Sequence, residues 1–419
     1  MEVLHWMCFV GAACMAAYVV VCAVWLQLLT LAACCVWRRG AESLADTASA
    51  EPRLRMLILI PAHNEADGIG EVLDKLRLSL KWPADQLEIV VIADNCTDDT
   101  AEIASAKATV LVRDVPDIRG KGQALHWAVE THLRNWPRPF DAVIVIDADS
   151  IVNPGFLYAM QAVLAGGDQV AQAHDTVWNV RDSWRTSLMF AGFSAINYLR
   201  PLGRSAFGWS AGLKGNGMCF SREVLLKYGH PAGSVAEDLE QGMRYLADGI
   251  NVAFVAGAVV RAKMPVGAKA AVSQRARWEG GRSQVAKVWI PRLLNRFLQG
   301  VARGRPDWSA FDGVMELLIP PLGNLGALAL GAMALGWFGP WRVWVVGSAG
   351  LALGLTVFHF LMAQVLAKAP GLVYLRLLAA PFYVAWKGWM FVRRRLTRSG
   401  KNEGWVRTTR QEKRGGGHG

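Results

Sequence analysis

Residues 143–150 read VIVIDADS, and this stretch decides how the rest of the chain divides. Val143 to Ile146 are apolar and β-branched, the mark of a buried strand. Asp147 and Asp149 then close it with one alanine between them. Two such carboxylates repel each other unless something positive lies between them. The strand is one of a series. LRMLILI (54–60) reads as a strand whose continuation, AHNEADGIGEVLDKLRLSL, turns into a helix. LEIVVIAD (87–94) is a second strand, followed by a helix beginning near Thr97 with Asp98 and Asp99 in its first turn. ATVLV (108–112) is a third, GKGQALHWAVETHL (120–133) a helix, and DAVIVIDAD (141–149) a fourth strand. This alternation predicts an α/β fold: a mainly parallel sheet with helices on both faces. Ligands of such sheets bind outside the carboxyl ends of the strands.

The 419 residues suffice for one catalytic domain with additional elements. Their mean hydropathy of +0.23 is high, and the apolar excess is localised. No Asp, Glu, Lys or Arg occurs across 35 positions between Glu2 and Arg38, across 25 between Glu316 and Arg342, or across 25 between Arg342 and Lys368. A bilayer core needs about 20 apolar helical residues, so each run is long enough to span. The first run has no basic start, unlike a cleaved secretory signal. Arg38 and Arg39 follow it and predict a cytoplasmic position for what comes next. Of seven cysteines, five lie in that run and are read as small apolar packing groups. From Phe391 onward nine Lys or Arg face two Glu, a basic tail suited to anionic lipid on the cytoplasmic face rather than to nucleic acid. Residues 371–392 carry Arg376, Pro381 and Lys387 and read as an interfacial segment, with a third C-terminal crossing as the alternative.

Polar clusters stand at successive strand ends. His63, Asn64 and Glu65 follow the first strand, Asp94 and Asn95 close the second, and Asp147 and Asp149 close the fourth. Residues two apart in an extended strand point the same way, so Asp147 and Asp149 are expected to face one spot. Their hard oxygens suit Mg2+ or Mn2+, ions that bind through one or two carboxylates plus substrate phosphates. A diphosphate-bearing substrate is the expectation. No Walker A sequence is present; RGKGQAL (119–125) offers Arg119 and Lys121 at a helix start instead. SVAEDLEQG (234–242) places Glu237 and Asp238 at the start of another helix. In SQRARWEGGR (273–282), Gln274, Arg277 and Trp278 have the helical spacing i, i+3, i+4.

PAHNE, DAD, AED and QRARW, in that order and flanked by membrane helices, resemble the membrane-integrated family 2 glycosyltransferases, which include cellulose, chitin and hyaluronan synthases and ceramide glucosyltransferase-like enzymes. The resemblance covers about residues 54–300. It implies a GT-A nucleotide-sugar-binding domain and an inverting transfer in one displacement, with no protein nucleophile. It assigns His63, Glu65 and Asp94 to the nucleoside, Lys121 to the diphosphate, Asp147 and Asp149 to ribose and metal, and Asp238 to the catalytic base. Gln274, Arg277 and Trp278, joined by Arg275, would line the diphosphate and the acceptor side, where Glu237 also belongs. Asn216 would approach the donor sugar.

The expected organisation is an anchor over 1–38, a cytoplasmic catalytic domain over 54–268, QxxRW and interfacial helices over 269–310, two membrane helices over 311–368, and the interfacial segment and tail beyond. Residues 178–218 either shape the acceptor side, with Trp184, Phe190, Phe193, Arg200 and Arg204 meeting a lipid diphosphate or glycan, or rest on the membrane. The expected partners are a UDP-sugar donor, a lipid-linked or glycan acceptor and the lipids of a cell inner membrane. A processive β-glycan synthase is the alternative, followed by an inactive membrane-anchored nucleotide-sugar-binding subunit. A divalent-ion transporter would need acidic groups inside its spans, and these spans have none.

Overall fold

The computed structural model describes residues 2–47, 51–231, 236–264 and 268–378, with side chains described for 6, 8–37, 51–231, 236–264 and 281–378. The expected tail and most of the expected interfacial segment lie outside these residues. So do the side chains of Gln274, Arg275, Arg277 and Trp278.

Eight strands form one sheet. In chain order they are β1 (Met56–Ala62), β2 (Leu87–Asp94), β3 (Thr109–Arg113), β4 (Ala142–Val145), β5 (Ser150–Val152), β6 (Val170–Val177), β7 (Met218–Ser221) and β8 (Ala253–Ala262). They lie side by side in the order β3-β2-β1-β4-β7-β6-β8-β5. β3, β2, β1 and β4 run parallel, as do β6 and β8. β7 is antiparallel to both β4 and β6, and β5 is antiparallel to β8. The sheet is therefore mixed, with its parallel half where the alternating pattern placed it.

Helices cover both faces, and strand periodicity decides which side chains meet them. Met56, Ile58 and Ile60 of β1 pack with α2 (Ile69–Ser79) and with α5 (Phe156–Ala165). Leu57 and Leu59 point the other way, onto Leu125, Ala128 and Val129 of α4 (Lys121–Thr131). On the first face α3 (Thr100–Ser105) adds Ala104.

The apolar runs are helices. Glu2–Thr47 form α1, whose segment Cys8–Trp37 is long and apolar enough to cross a membrane. Arg342–Leu366 (α13) meets the same criterion. The run after Glu316 does not form one straight helix, as its length had suggested. α11 (Trp308–Leu318) and α12 (Leu322–Gly336) meet at a bend of 71°. Pro320 and Pro321 sit in the break, where a proline cannot continue a helix and disfavours helical geometry in the residue before it. α10 (Ala268–Ala302) precedes them and α14 (Gly371–Leu377) follows α13.

Between β6 and β7 the chain forms α6 (Trp184–Phe193), a π-helical stretch over Ser194–Leu199, and α7 (Arg200–Ser205). α7 lies against α1 so closely that a Cβ on Gly203 would collide with the carbonyl oxygen of Leu29. Arg204 does not stand open to an acceptor. It is fully buried, with Nε 2.6 Å from Asp312 and Nη2 2.6 Å from Glu316 of α11. Arg200, also buried, lies 3.9 Å from Glu316. These pairs tie α11 to α7, in the segment between β6 and β7.

Candidate active site

β1, β2 and β4 end side by side, so their polar clusters gather along one edge. After β1, Asn64 adopts a left-handed backbone with φ 54°. Its side-chain Oδ1 accepts the N–H of Thr97 at 2.7 Å, which holds the β1 and β2 loops together. Asn95 repeats the conformation after β2, with φ 50°. Asparagine tolerates this region better than most residues. His63 Nδ1 is 2.6 Å from the carbonyl oxygen of Asp94; a carbonyl only accepts, so Nδ1 carries the proton. The Glu65 N–H donates to Thr100 Oγ1 at 2.7 Å. Asp94 is buried in an ion pair with Arg113, the residue opposite it in the β2–β3 register. Sequence reasoning passed over Arg113. Its signal was a cation ending a strand next to one that ends in aspartate.

The acidic pair departs from the expected geometry. β4 ends at Val145, and Asp147 to Asp149 form a turn rather than extended strand. The Ser150 N–H closes the turn on the carbonyl oxygen of Asp147 at 3.0 Å. Both carboxylates remain partly open to solvent. Lys121, the first residue of α4, pairs with Asp147 and also donates to the carbonyl oxygen of Gly215. Burial opposes its charge, but Asp147, Glu237 and Asp238 outweigh that and hold the ammonium above its usual range.

The β7 approach supplies the other side. Gly215 has φ 83°, and a Cβ there would lie 3.1 Å from Asp238 Oδ2, so glycine lets the loop reach the carboxylate. Asp238 and Glu237 open α9 (Glu237–Ala247). The α4 backbone approaches as closely: a Cβ on Gly122 would lie 2.9 Å from Glu237 Cγ. Burial raises the Asp238 carboxyl, against the pull of Lys121 and Lys214. Burial, with the Asp238 charge added, carries Glu237 up to about 7. Asn216 accepts the Asp147 N–H at 3.1 Å. Lys121, Asp147, Asn216, Glu237 and Asp238 thus converge, with Asp149 two residues along the turn. His63 and Glu65 follow β1, the strand beside β4, and Asp94 ends β2, the next strand along the same edge.

Gln274, Arg275, Arg277 and Trp278 all fall within α10, so the i, i+3, i+4 spacing holds on its backbone. Among the described residues no group of three or more His, Cys, Asp or Glu side chains forms a closed metal cage. Asp147 and Asp149 place two partly open carboxylates on one turn, and oxygens of this kind suit a hard divalent ion.

The chain matches the family profile described as Glycosyltransferase like family 2 over residues 52–281. It is 28% identical over 267 residues to the probable glycosyltransferase YdaM of Bacillus subtilis, covering 62% of this chain and 60% of that protein. It is 28% identical over 272 residues to the beta-monoglucosyldiacylglycerol synthase of a Nostoc species, covering 63% and 56%. The matched region thus spans less than two thirds of either relative. A mannosyltransferase of Pyrobaculum calidifontis, solved with GDP-Man and Mn2+, aligns with 83% of this chain and 98% of its own, at 17% identity and a TM-score of 0.45. The family profile takes in the strands, the acidic turn and the α9 carboxylates, and the chain belongs to glycosyltransferase family 2.

Proposed function

We propose that the chain is a membrane-anchored, inverting glycosyltransferase that moves a hexose from a UDP-sugar to a hydroxyl of a lipid acceptor. The observation that carries this reading is the convergence of Lys121, Asp147 and Asp238 on the Gly215–Asn216 loop. His63, Glu65 and Asp94 hold the nucleoside end. Lys121 neutralises charge on the leaving diphosphate, and the same role is assigned to Gln274, Arg275 and Arg277 on the motif alone. Asp147 and Asp149 would hold a Mg2+ or Mn2+ ion, which would supply further charge neutralisation there. Asp238 takes the proton of the acceptor hydroxyl as its oxygen bonds to the anomeric carbon, while the bond from that carbon to the diphosphate oxygen breaks. Glu237 lies on the acceptor side, a role assigned to Trp278 on the motif alone. A lipid acceptor is favoured by the two candidate membrane helices and by the glycolipid-forming activity named for the Nostoc relative. The catalytic domain then faces the cytoplasm, on the side marked by Arg38 and Arg39.

The test is UDP release by the full chain in detergent, with a panel of UDP-sugars, with and without diacylglycerol-containing lipid and with Mn2+ or EDTA. Lipid-stimulated, metal-dependent release supports the reading. Release that ignores lipid but yields polymer replaces it with the processive one.

A further inference from the structure

Asp175 belongs to none of the motifs above, yet it stands directly behind the acidic turn. It lies on β6, where VAQAHDTV sets a carboxylate inside a buried strand, and it is 5% exposed. Each of its oxygens meets an amide: Asn216 Nδ2 donates to Oδ1 at 3.2 Å, and Asn197 Nδ2 donates to Oδ2 at 3.2 Å. Asn216 gives its other N–H to Ser150 Oγ at 3.0 Å. That hydroxyl in turn donates a hydrogen bond to Asp149 Oδ1 at 3.3 Å. The Asn216 carbonyl oxygen is thereby left to accept the N–H of Asp147.

An asparagine amide has nearly the same shape after a half-turn, so its partners decide which end is which. Reversed, Asn216 would aim N–H at the N–H of Asp147 and oxygen at Asp175. The second clash exists only because Asp175 presents an oxygen there. Asn197 in turn belongs to the π-helical stretch that runs into α7, the helix packed on α1 at Gly203 and Leu29.

We infer that Asp175 is a positioning residue: it orients the Asn216 amide, and through it fixes the turn that carries Asp147 and Asp149. This rests on the reading of those two carboxylates as the donor-side pair. It requires an oxygen at position 175 facing Asn216, not a charge. Asp175→Asn keeps that oxygen and satisfies Asn197 by reversal of the Asn197 amide. Asp175→Leu keeps the approximate shape and removes both acceptors.

Two measurements on the full chain in detergent test it. Hydrogen exchange across 146–152 should be about tenfold faster in Asp175→Leu than in wild type, and near wild type in Asp175→Asn. Calorimetric UDP affinity in Mn2+ should fall about tenfold in Asp175→Leu and be rescued in Asp175→Asn, with UDP affinity in EDTA changed less than twofold. Should Asp175→Leu not fold, Asn216→Asp keeps the shape, turns the donor towards Asp175 into an acceptor, and should speed the same exchange. Unchanged exchange at 146–152 in folded Asp175→Leu, or in Asn216→Asp where Asp175→Leu does not fold, overturns the inference. So does an equal loss of UDP affinity with and without metal. If wild type binds no UDP, the donor reading fails, and the exchange comparison still decides what Asp175 does.

Discussion

The ammonium of Lys121 is shared between the carboxylate of Asp147 and the carbonyl oxygen of Gly215. One cation therefore joins the α4 start, the acidic turn and the loop that reaches Asp238. In the proposed function this ammonium serves the diphosphate and also neutralises a carboxylate assigned to the metal. Lys121→Ala should then move two affinities in opposite directions. Free Mn2+ should bind several-fold more tightly, because Asp147 and Asp149 lose their counter-charge, while UDP in saturating Mn2+ should bind at least tenfold more weakly. Calorimetry with Mn2+ alone and with Mn2+ plus UDP checks both. A parallel loss of the two contradicts the shared role.

Glu237 and Asp238 are neighbouring carboxyls, both raised by burial, with Glu237 near 7. A raised carboxyl holds its proton at pH values where an ordinary one has lost it. As pH rises through about 7, Glu237 gains charge beside Asp238. The pH profile of kcat/KM should show an ionisation in that region belonging to the pair. Glu237→Gln removes that step and leaves an acid limb at lower pH, set by Asp238 without a charged neighbour. A profile unchanged in Glu237→Gln contradicts the coupling.

Arg204 is buried between Asp312 and Glu316, and removing one partner of a buried pair leaves the others uncompensated. Arg204→Met should cost roughly 3–5 kcal/mol. Thermal unfolding in detergent should shift down by about 10 °C. Adding Glu316→Gln to Arg204→Met should recover part of the loss, since it removes a stranded charge. Full stability in the single variant contradicts the structural role.

Local pattern made β2 legible at its observed limits, Leu87–Asp94, because a continuous apolar run ends there at Asp94 and Asn95. It placed the polar clusters on one sheet edge for the same reason. It ran β4 too far, since VIVI has the same strand preference up to Ile146, and the turn after it is set by Asn216, from a loop 69 residues on. Arg204 invited an acceptor reading because its partners Asp312 and Glu316 lie more than 100 residues away. Asp175 gave one usable signal, a carboxylate among buried strand positions. The bend at Pro320 and Pro321 was written in the sequence and masked by the length of the charge-free run around it.

In the proposed transfer Asp238 is the base that takes the acceptor's proton. UDP-sugar turnover and Mn2+-dependent UDP affinity, measured side by side for wild type and Asp238→Asn, test it most directly. Turnover in Asp238→Asn should be lower by about a thousandfold, with affinity within about threefold of wild type. Turnover that survives the substitution would contradict it.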